Sequence, residues 1–231
     1  MTAGPAPAVD LAAPLVYLIT DRHATGGRAL TDVVATALRA VARAHLPPDA
    51  VAVQLREKDL GTRALLELAR ALRVVTRDTG TSLFINDRVD IARAVDADGV
   101  HLARTSLAPA DVAALDTHAT LRIAVSTHTR AEVDVAARSR DRNVAPIAFA
   151  VFGPVFDTPS KRSYGAARGL DELRDACATN LPVLALGGVD VNTARACVRA
   201  GARGVACIRA VMSAADPEAA LARIFEAIES T

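Results

Sequence analysis

The stretch Val16-Tyr17-Leu18-Ile19-Thr20-Asp21-Arg22-His23 decides between two architectures open to this chain. Val16–Thr20 is a short apolar run of strand length, and apolar residues at helical spacing begin at Leu30. A doubly wound nucleotide-binding sheet needs a glycine-rich loop directly after its first strand, so that the backbone can approach a phosphate. Thr20-Asp21-Arg22-His23 contains no glycine, and the reading turns to a closed barrel.

Outward from that point the alternation continues. Strands are predicted at Val16–Thr20, Val51–Arg56, Ser82–Asn86, Gly99–Leu102, Arg122–Val125, Ile147–Phe152, Pro182–Leu186 and Gly204–Ile208. Amphipathic segments lie between them, among them Leu30–Ala44, Thr62–Val75, Ala131–Ala137, Val191–Ala200 and Pro217–Ile228. Strand and helix in strict alternation require parallel pairing, because parallel neighbours need a crossover. Eight such units predict an α/β fold, a single (β/α)8 TIM barrel. Ala92-Arg93-Ala94 before Gly99-Val100 echoes Ala194-Arg195-Ala196 before Gly204-Val205, as two half-barrels would.

Half of the 231 residues (51%) are hydrophobic but only 3% are aromatic and none is Trp, so the core is expected to consist of Ala, Val, Leu and Ile. A net charge of +1, with both signs interleaved along the helical stretches, argues against a nucleic-acid partner. No run is long and apolar enough for a membrane span. Met1–Ala13 is Ala/Pro-rich without the marks of a signal peptide, and reads as a flexible N-terminal tail before a barrel domain at 14–231. Cys177, Cys197 and Cys207 show no metal-ligand spacing and are odd in number, which fits thiols in a reducing cytoplasm. The sequence leaves a homo-oligomer open.

Barrel chemistry gathers at the C-terminal ends of the strands, and polar residues cluster there. Gln54, Arg56 and Lys58 alternate onto one side after the second strand. Two cations converging on a pocket call for an anion such as phosphate or diphosphate, unless Arg56 instead pairs with Glu57. Asn86-Asp87 closes the third strand; Asp87 is either the N-cap of the next helix, the better reading from sequence alone, or a Mg2+ ligand. His128, in Ser126-Thr127-His128-Thr129, suits either proton transfer or a structural hydrogen bond. Thr158, Ser160 and Lys161 lie in a long loop that is able to wrap a diphosphate, unless it is only a surface loop. Gly187-Gly188 after the seventh strand, with Arg209 after the eighth, occupies the usual phosphate-gripping position.

Taken in order, Tyr17-Leu18-Ile19-Thr20-Asp21, Gln54-x-Arg56-x-Lys58, Asn86-Asp87, Gly99-Val100-His101-Leu102, Ser126-Thr127-His128-Thr129, Gly153-Pro154-Val155-Phe156 through Lys161 and Gly187-Gly188 resemble the thiamine phosphate synthase and thiazole tautomerase family. The resemblance spans residues 15–228. It implies an enzyme whose partners are small phosphorylated heterocycles, thiazole phosphate and hydroxymethylpyrimidine diphosphate, joined with release of diphosphate. It further implies that Gln54, Arg56, Lys58, Thr158, Ser160 and Lys161 bind the diphosphate, and that Asp87 ligates Mg2+. Asn86 also belongs to this substrate side, Ser126 sits near the pyrimidine, and Gly187-Gly188 holds the thiazole phosphate. Two positions depart from the family pattern: Ser106 stands where the second Mg2+-ligating Asp is expected, and Arg209 where a Ser is expected. The first departure weakens the expectation of Mg2+ and favours the tautomerase branch, in which His128 would shuttle the proton. The retained cations favour the synthase. A non-catalytic regulator that binds thiamine precursors is the third reading.

Overall fold

Parallel strands close on themselves in chain order: β1 (Val16–Ile19), β2 (Val51–Leu55), β3 (Ser82–Asn86), β4 (Gly99–Leu102), β5 (Arg122–Thr127), β6 (Ile147–Phe152), β7 (Val183–Leu186) and β8 (Gly204–Cys207). Val16 pairs with Val51 on one side and with Val205 on the other, which completes the ring. The computed structural model describes residues 13–46, 49–116, 120–157 and 166–229. Around the ring lie α1 (Leu30–Arg43), α2 (Thr62–Asp78), α3 (Val89–Ala94), α4 (Pro109–Leu115), α5 (Arg130–Asp141), α6 (Gly169–Cys177), α7 (Ala194–Arg199), α8 (Arg209–Met212) and α9 (Pro217–Glu229).

The predicted elements are present, with shifted ends. Thr20, Arg56, Pro182 and Ile208 fall just outside their strands, while β5 continues two residues further and takes in Ser126. Helix α7 begins at Ala194 rather than Val191. The Asp190 carboxylate accepts the N–H groups of Asn192 (2.8 Å) and Thr193 (3.2 Å), and Thr193 Oγ1 accepts the Asp190 N–H, so these residues form a turn. The segments of the sequence echo fold alike locally: α3 and α7 are each one short helix before a strand that begins with glycine.

Alternation along each strand separates two apolar layers. Outward residues such as Val53, Leu55, Leu83 and Ile85 pack under the helices against Leu38, Leu72 and Ile224, the aliphatic core that the composition predicts. The barrel interior differs from that expectation. Tyr17, Phe84 and Phe149 meet edge to face there, with ring centroids 5.1 to 5.6 Å apart. Small side chains do not fill the axis of eight converging strands, and the chain commits three of its few aromatics to it.

The N-terminal end of the barrel is closed by Arg122, which is 6% exposed. Its guanidinium lies over the Phe84 ring, 5.3 Å from the centroid, donates to Ser82 Oγ, and approaches Asp49 Oδ1 at 3.3 Å. Gly99 makes room for the Phe84 ring: a Cβ there would lie 2.3 Å from it. Ala13, the last residue of the predicted tail, is buried in the same interior cluster and so belongs to the barrel. Residues 1–12 of that tail lie outside the described residues.

Candidate active site

The top layer of the interior is polar where the aromatic layer directly beneath is apolar. Gln54, Asn86, His101 and Ser126 stand at the C-terminal ends of β2, β3, β4 and β5, each in the inward phase of its strand. Gln54 is 1% exposed, and its amide makes no hydrogen bond of normal length and angle, although the Tyr17 hydroxyl lies near enough to interact with it weakly. An unsatisfied buried amide costs on the order of 1–3 kcal/mol, so this side chain marks where a polar ligand belongs.

His101 is a site residue that the sequence motifs do not single out. It enters them only as part of a strand, although alternation along β4 gives its inward phase. Its Nε2 lies 2.8 Å from Ser126 Oγ, and its Nδ1 lies 3.4 Å from the Tyr17 hydroxyl beneath it. Burial, with added repulsion from Arg56 and Lys58, pushes its pKa down to about 3. At neutral pH the ring is therefore uncharged, with one nitrogen to donate and one to accept. Burial likewise holds the Tyr17 phenol protonated.

Arg56 and Lys58 rise above this layer, and no acid among the described residues pairs with either. The alternative pairing of Arg56 with Glu57 does not occur. Glu57 is buried and turned toward β1, where it accepts from Thr20 Oγ1 at 2.7 Å and from the Arg22 N–H at 3.1 Å. Lys58, Asn86 and Asp87 line one cavity of about 260 Å3 between the ends of β2 and β3. A larger, shallower groove at Asn192, Arg195 and Arg223 lies outside the ring of strand ends.

Asp87 is not the helix cap that the sequence favours. The N-cap of α3 is Arg88, and it makes no side-chain cap bond. Asp87 adopts φ of 68°, with its N–H held by the His101 carbonyl at 2.9 Å, and its exposed carboxylate stays at the cavity. Non-glycine residues take this left-handed backbone seldom, and Asp is one that tolerates it. Ser106 is engaged elsewhere: its Oγ accepts the Ala103 N–H at 2.7 Å and closes the turn after β4. Among the described residues no three His, Cys, Asp or Glu side chains converge as a metal site. Mg2+ bound to a diphosphate needs only one or two protein carboxylates, however, and Asp87 meets that requirement.

Across the mouth, Gly187 and Gly188 adopt φ of 100° and 66°. A Cβ on Gly187 would lie 2.7 Å from Pro154, so glycine is needed for both conformation and space. Their N–H groups have no acceptor among the described residues. Arg209, exposed and at the first turn of α8, stands beside them on the next strand end. Backbone N–H groups without acceptors and a guanidinium on the neighbouring strand end are the kinds of donor that suit an anion.

His128 stands apart from both groups. Its Nδ1 lies 2.5 Å from the Gly153 carbonyl, which ties the turn after β5 to the loop after β6, and its N–H donates to Glu132. Thr158, Ser160 and Lys161 lie outside the described residues.

The profile of the thiamine monophosphate synthase family matches residues 16–211. A thiamine-phosphate synthase of Roseiflexus sp. is 42% identical over 94% of this chain and 86% of its own length. A putative thiamine-phosphate synthase of Geobacter sulfurreducens is 46% identical over 87% of this chain and 88% of its own. Among solved structures, thiamine phosphate pyrophosphorylase from Pyrococcus furiosus superposes with a TM-score of 0.77 at 30% identity, covering 93% of this chain and 95% of that one.

Proposed function

Because this chain belongs to the thiamine monophosphate synthase family, we propose that it is a transferase that joins hydroxymethylpyrimidine diphosphate to thiazole phosphate. The thiazole nitrogen forms a bond to the pyrimidine methylene carbon. The carbon–oxygen bond to diphosphate breaks, and its electron pair leaves on the diphosphate oxygen. Nitrogen ends as a thiazolium cation, so the bond exchange itself requires no proton transfer. The demand on the protein is to stabilise the departing anion.

The observation that carries the reading is the buried Gln54 amide, without a hydrogen bond of normal length and angle, beneath two cations with no acidic partner among the described residues. Gln54, Arg56 and Lys58 would bind and neutralise the diphosphate, with Thr158, Ser160 and Lys161 closing over it. Asn86 would hold the pyrimidine side, and Ser126, oriented by His101, would face the pyrimidine. Gly187, Gly188 and Arg209 would take the thiazole phosphate. Mg2+, when bound, neutralises part of the diphosphate charge, and Asp87 is the residue that would hold it. No helix among the described residues is long and apolar enough to cross a membrane, and the three free cysteines support a reducing, cytoplasmic setting.

One incubation tests this. The protein is mixed with both substrates and Mg2+, and thiamine phosphate and thiazole isomers are followed together. Thiamine phosphate that disappears in Lys161→Ala is the expected result. Isomer interconversion without coupling, lost in His128→Ala, would replace the synthase with the tautomerase. Phosphate-ligand binding with neither reaction would leave the regulator.

A further inference from the structure

Residues 56 to 59 alternate cation and acid just past one strand end. Gln54 is in the inward phase of β2, and Arg56 and Lys58 follow it near enough to repel a proton on His101, while Glu57 and Asp59 bond to Arg22 on the β1 side. Two carboxylates thus adjoin the two cations of the anion site in sequence, so either is a potential internal counter-ion to them. One residue on the neighbouring strand end holds both.

Arg22 sits in a single 3-10 turn, Arg22–Ala24, just after β1. Its Nη1 and Nη2 each donate to one oxygen of Asp59 at 2.5 Å, and Nη1 also reaches Glu57 Oε2 at 3.3 Å. The Arg22 backbone N–H adds a hydrogen bond to both Glu57 oxygens, at 3.1 and 3.2 Å. Glu57 accepts in addition from Thr20 Oγ1, and that hydroxyl oxygen accepts the Arg56 N–H at 2.9 Å. His23 Nε2 completes the Asp59 side at 3.0 Å. Every charge-carrying oxygen of Glu57 and Asp59 is thereby drawn toward β1.

Stability accounts for the pairing of buried Glu57 but not for the bidentate hold on Asp59. The Asp59 side chain is 55% exposed and that of Arg22 30% exposed, and exposed ion pairs contribute little to folding. A planar fork that takes two carboxylates at once is a task lysine would perform poorly, because it offers a point charge. The hydrogen bonds from Arg22, then His23, hold the Asp59 carboxyl well below the usual carboxylate range.

We propose that Arg22 is a positioning residue for the anion site: by holding Glu57 and Asp59 on the β1 side, it keeps Arg56 and Lys58 free of an internal counter-ion and sets their affinity for diphosphate. This rests on the diphosphate reading of the site given above.

The test measures inorganic diphosphate binding by calorimetry, together with KM for the pyrimidine diphosphate and kcat, at low ionic strength where charge effects are least screened. Arg22→Met is expected to weaken diphosphate binding and raise KM by about five- to twentyfold, leaving kcat within about twofold, as loss of electrostatic complementarity does. Adding Asp59→Asn to Arg22→Met should bring both back to within about twofold of the wild type. Removing a further partner would not repair a loop that Arg22 merely props. Unchanged binding in Arg22→Met, or a loss that Asp59→Asn does not repair, overturns the proposal. Should Arg22→Met fail to fold, Arg22→Lys with and without Asp59→Asn gives the same comparison. A wild-type protein that binds no inorganic diphosphate would sink the diphosphate site itself, and that outcome is distinct from either.

Discussion

His101 Nε2 lies 2.8 Å from Ser126 Oγ across the top of the barrel, with the Tyr17 hydroxyl 3.4 Å from its other nitrogen. The ring is buried, uncharged at neutral pH and fixed on both sides. A histidine so placed orients its neighbours more readily than it exchanges protons with solvent.

That state has a pH signature. An unfolded histidine takes up a proton near pH 6.5, whereas His101 does so only at about 3. Between those values the unfolded chain binds the extra proton, so stability rises with pH across the window and falls as pH drops through it. The slope is up to about 1.4 kcal/mol per pH unit from this one group. Denaturant titrations at pH 7, 6 and 5 should show a decline that is shallower in His101→Gln. Parallel declines in the two proteins would remove His101 as the cause.

Gln54 should show opposed effects on stability and binding. Its amide is buried without a hydrogen bond of normal length and angle, so Gln54→Leu is expected to stabilise the ligand-free protein by about 1–2 kcal/mol. The same change should weaken inorganic diphosphate binding by roughly tenfold or more, the usual cost of losing hydrogen bonds to a charged group. Thermal melts and calorimetry on one preparation check both. A destabilised variant would mean that the amide is satisfied in solution.

Ser106→Asp adds a carboxylate where the family pattern carries one, without abandoning the turn, because Asp is also able to accept the Ala103 N–H. We expect the half-saturating Mg2+ concentration for coupling to fall by roughly fivefold or more, since ligand charge sets affinity at oxygen sites. An unchanged Mg2+ titration would show that residue 106 does not face the metal.

Gly187→Ala tests the opposite rim. At φ of 100°, with a Cβ 2.7 Å from Pro154, alanine is expected to cost about 1–3 kcal/mol of stability and to displace the loop after β6. Phe156 N–H donates to the Gly187 carbonyl at 3.0 Å, so KM for the thiazole phosphate should rise together with the loss of stability. Full stability with normal KM would contradict the strain at this position.

The sequence is most legible where a residue's role follows from its own strand. The period of two in Val51–Leu55 gives Gln54 its inward phase, and the Gly187-Gly188 pair is found directly after β7 with the left-handed backbone that glycine permits. The same rule finds His101 once its strand motif is read for direction. Contacts across the ring are not legible. Nothing in the order of residues tells that Glu57 turns to Arg22, 35 residues earlier, instead of to adjacent Arg56. Asp87 reads as a cap because a cap is local and common, while its left-handed backbone depends on the His101 carbonyl of the next strand. The interior aromatics and Arg122 escape the sequence for a similar reason: they fill a space that exists only once eight strands have closed.

Arg122 has a bearing on traffic through the molecule. With its guanidinium stacked on Phe84 and anchored at Ser82 and Asp49 beneath the packed aromatic layer, the barrel is a shallow shaft with a solid floor. Whatever binds inside enters and leaves by a single doorway, so two reactants and two products share one threshold. A group seated on Gln54 lies deepest in that shaft, and Lys58 stands at its lip. A diphosphate held by both would reach from the polar top layer of the interior to that lip.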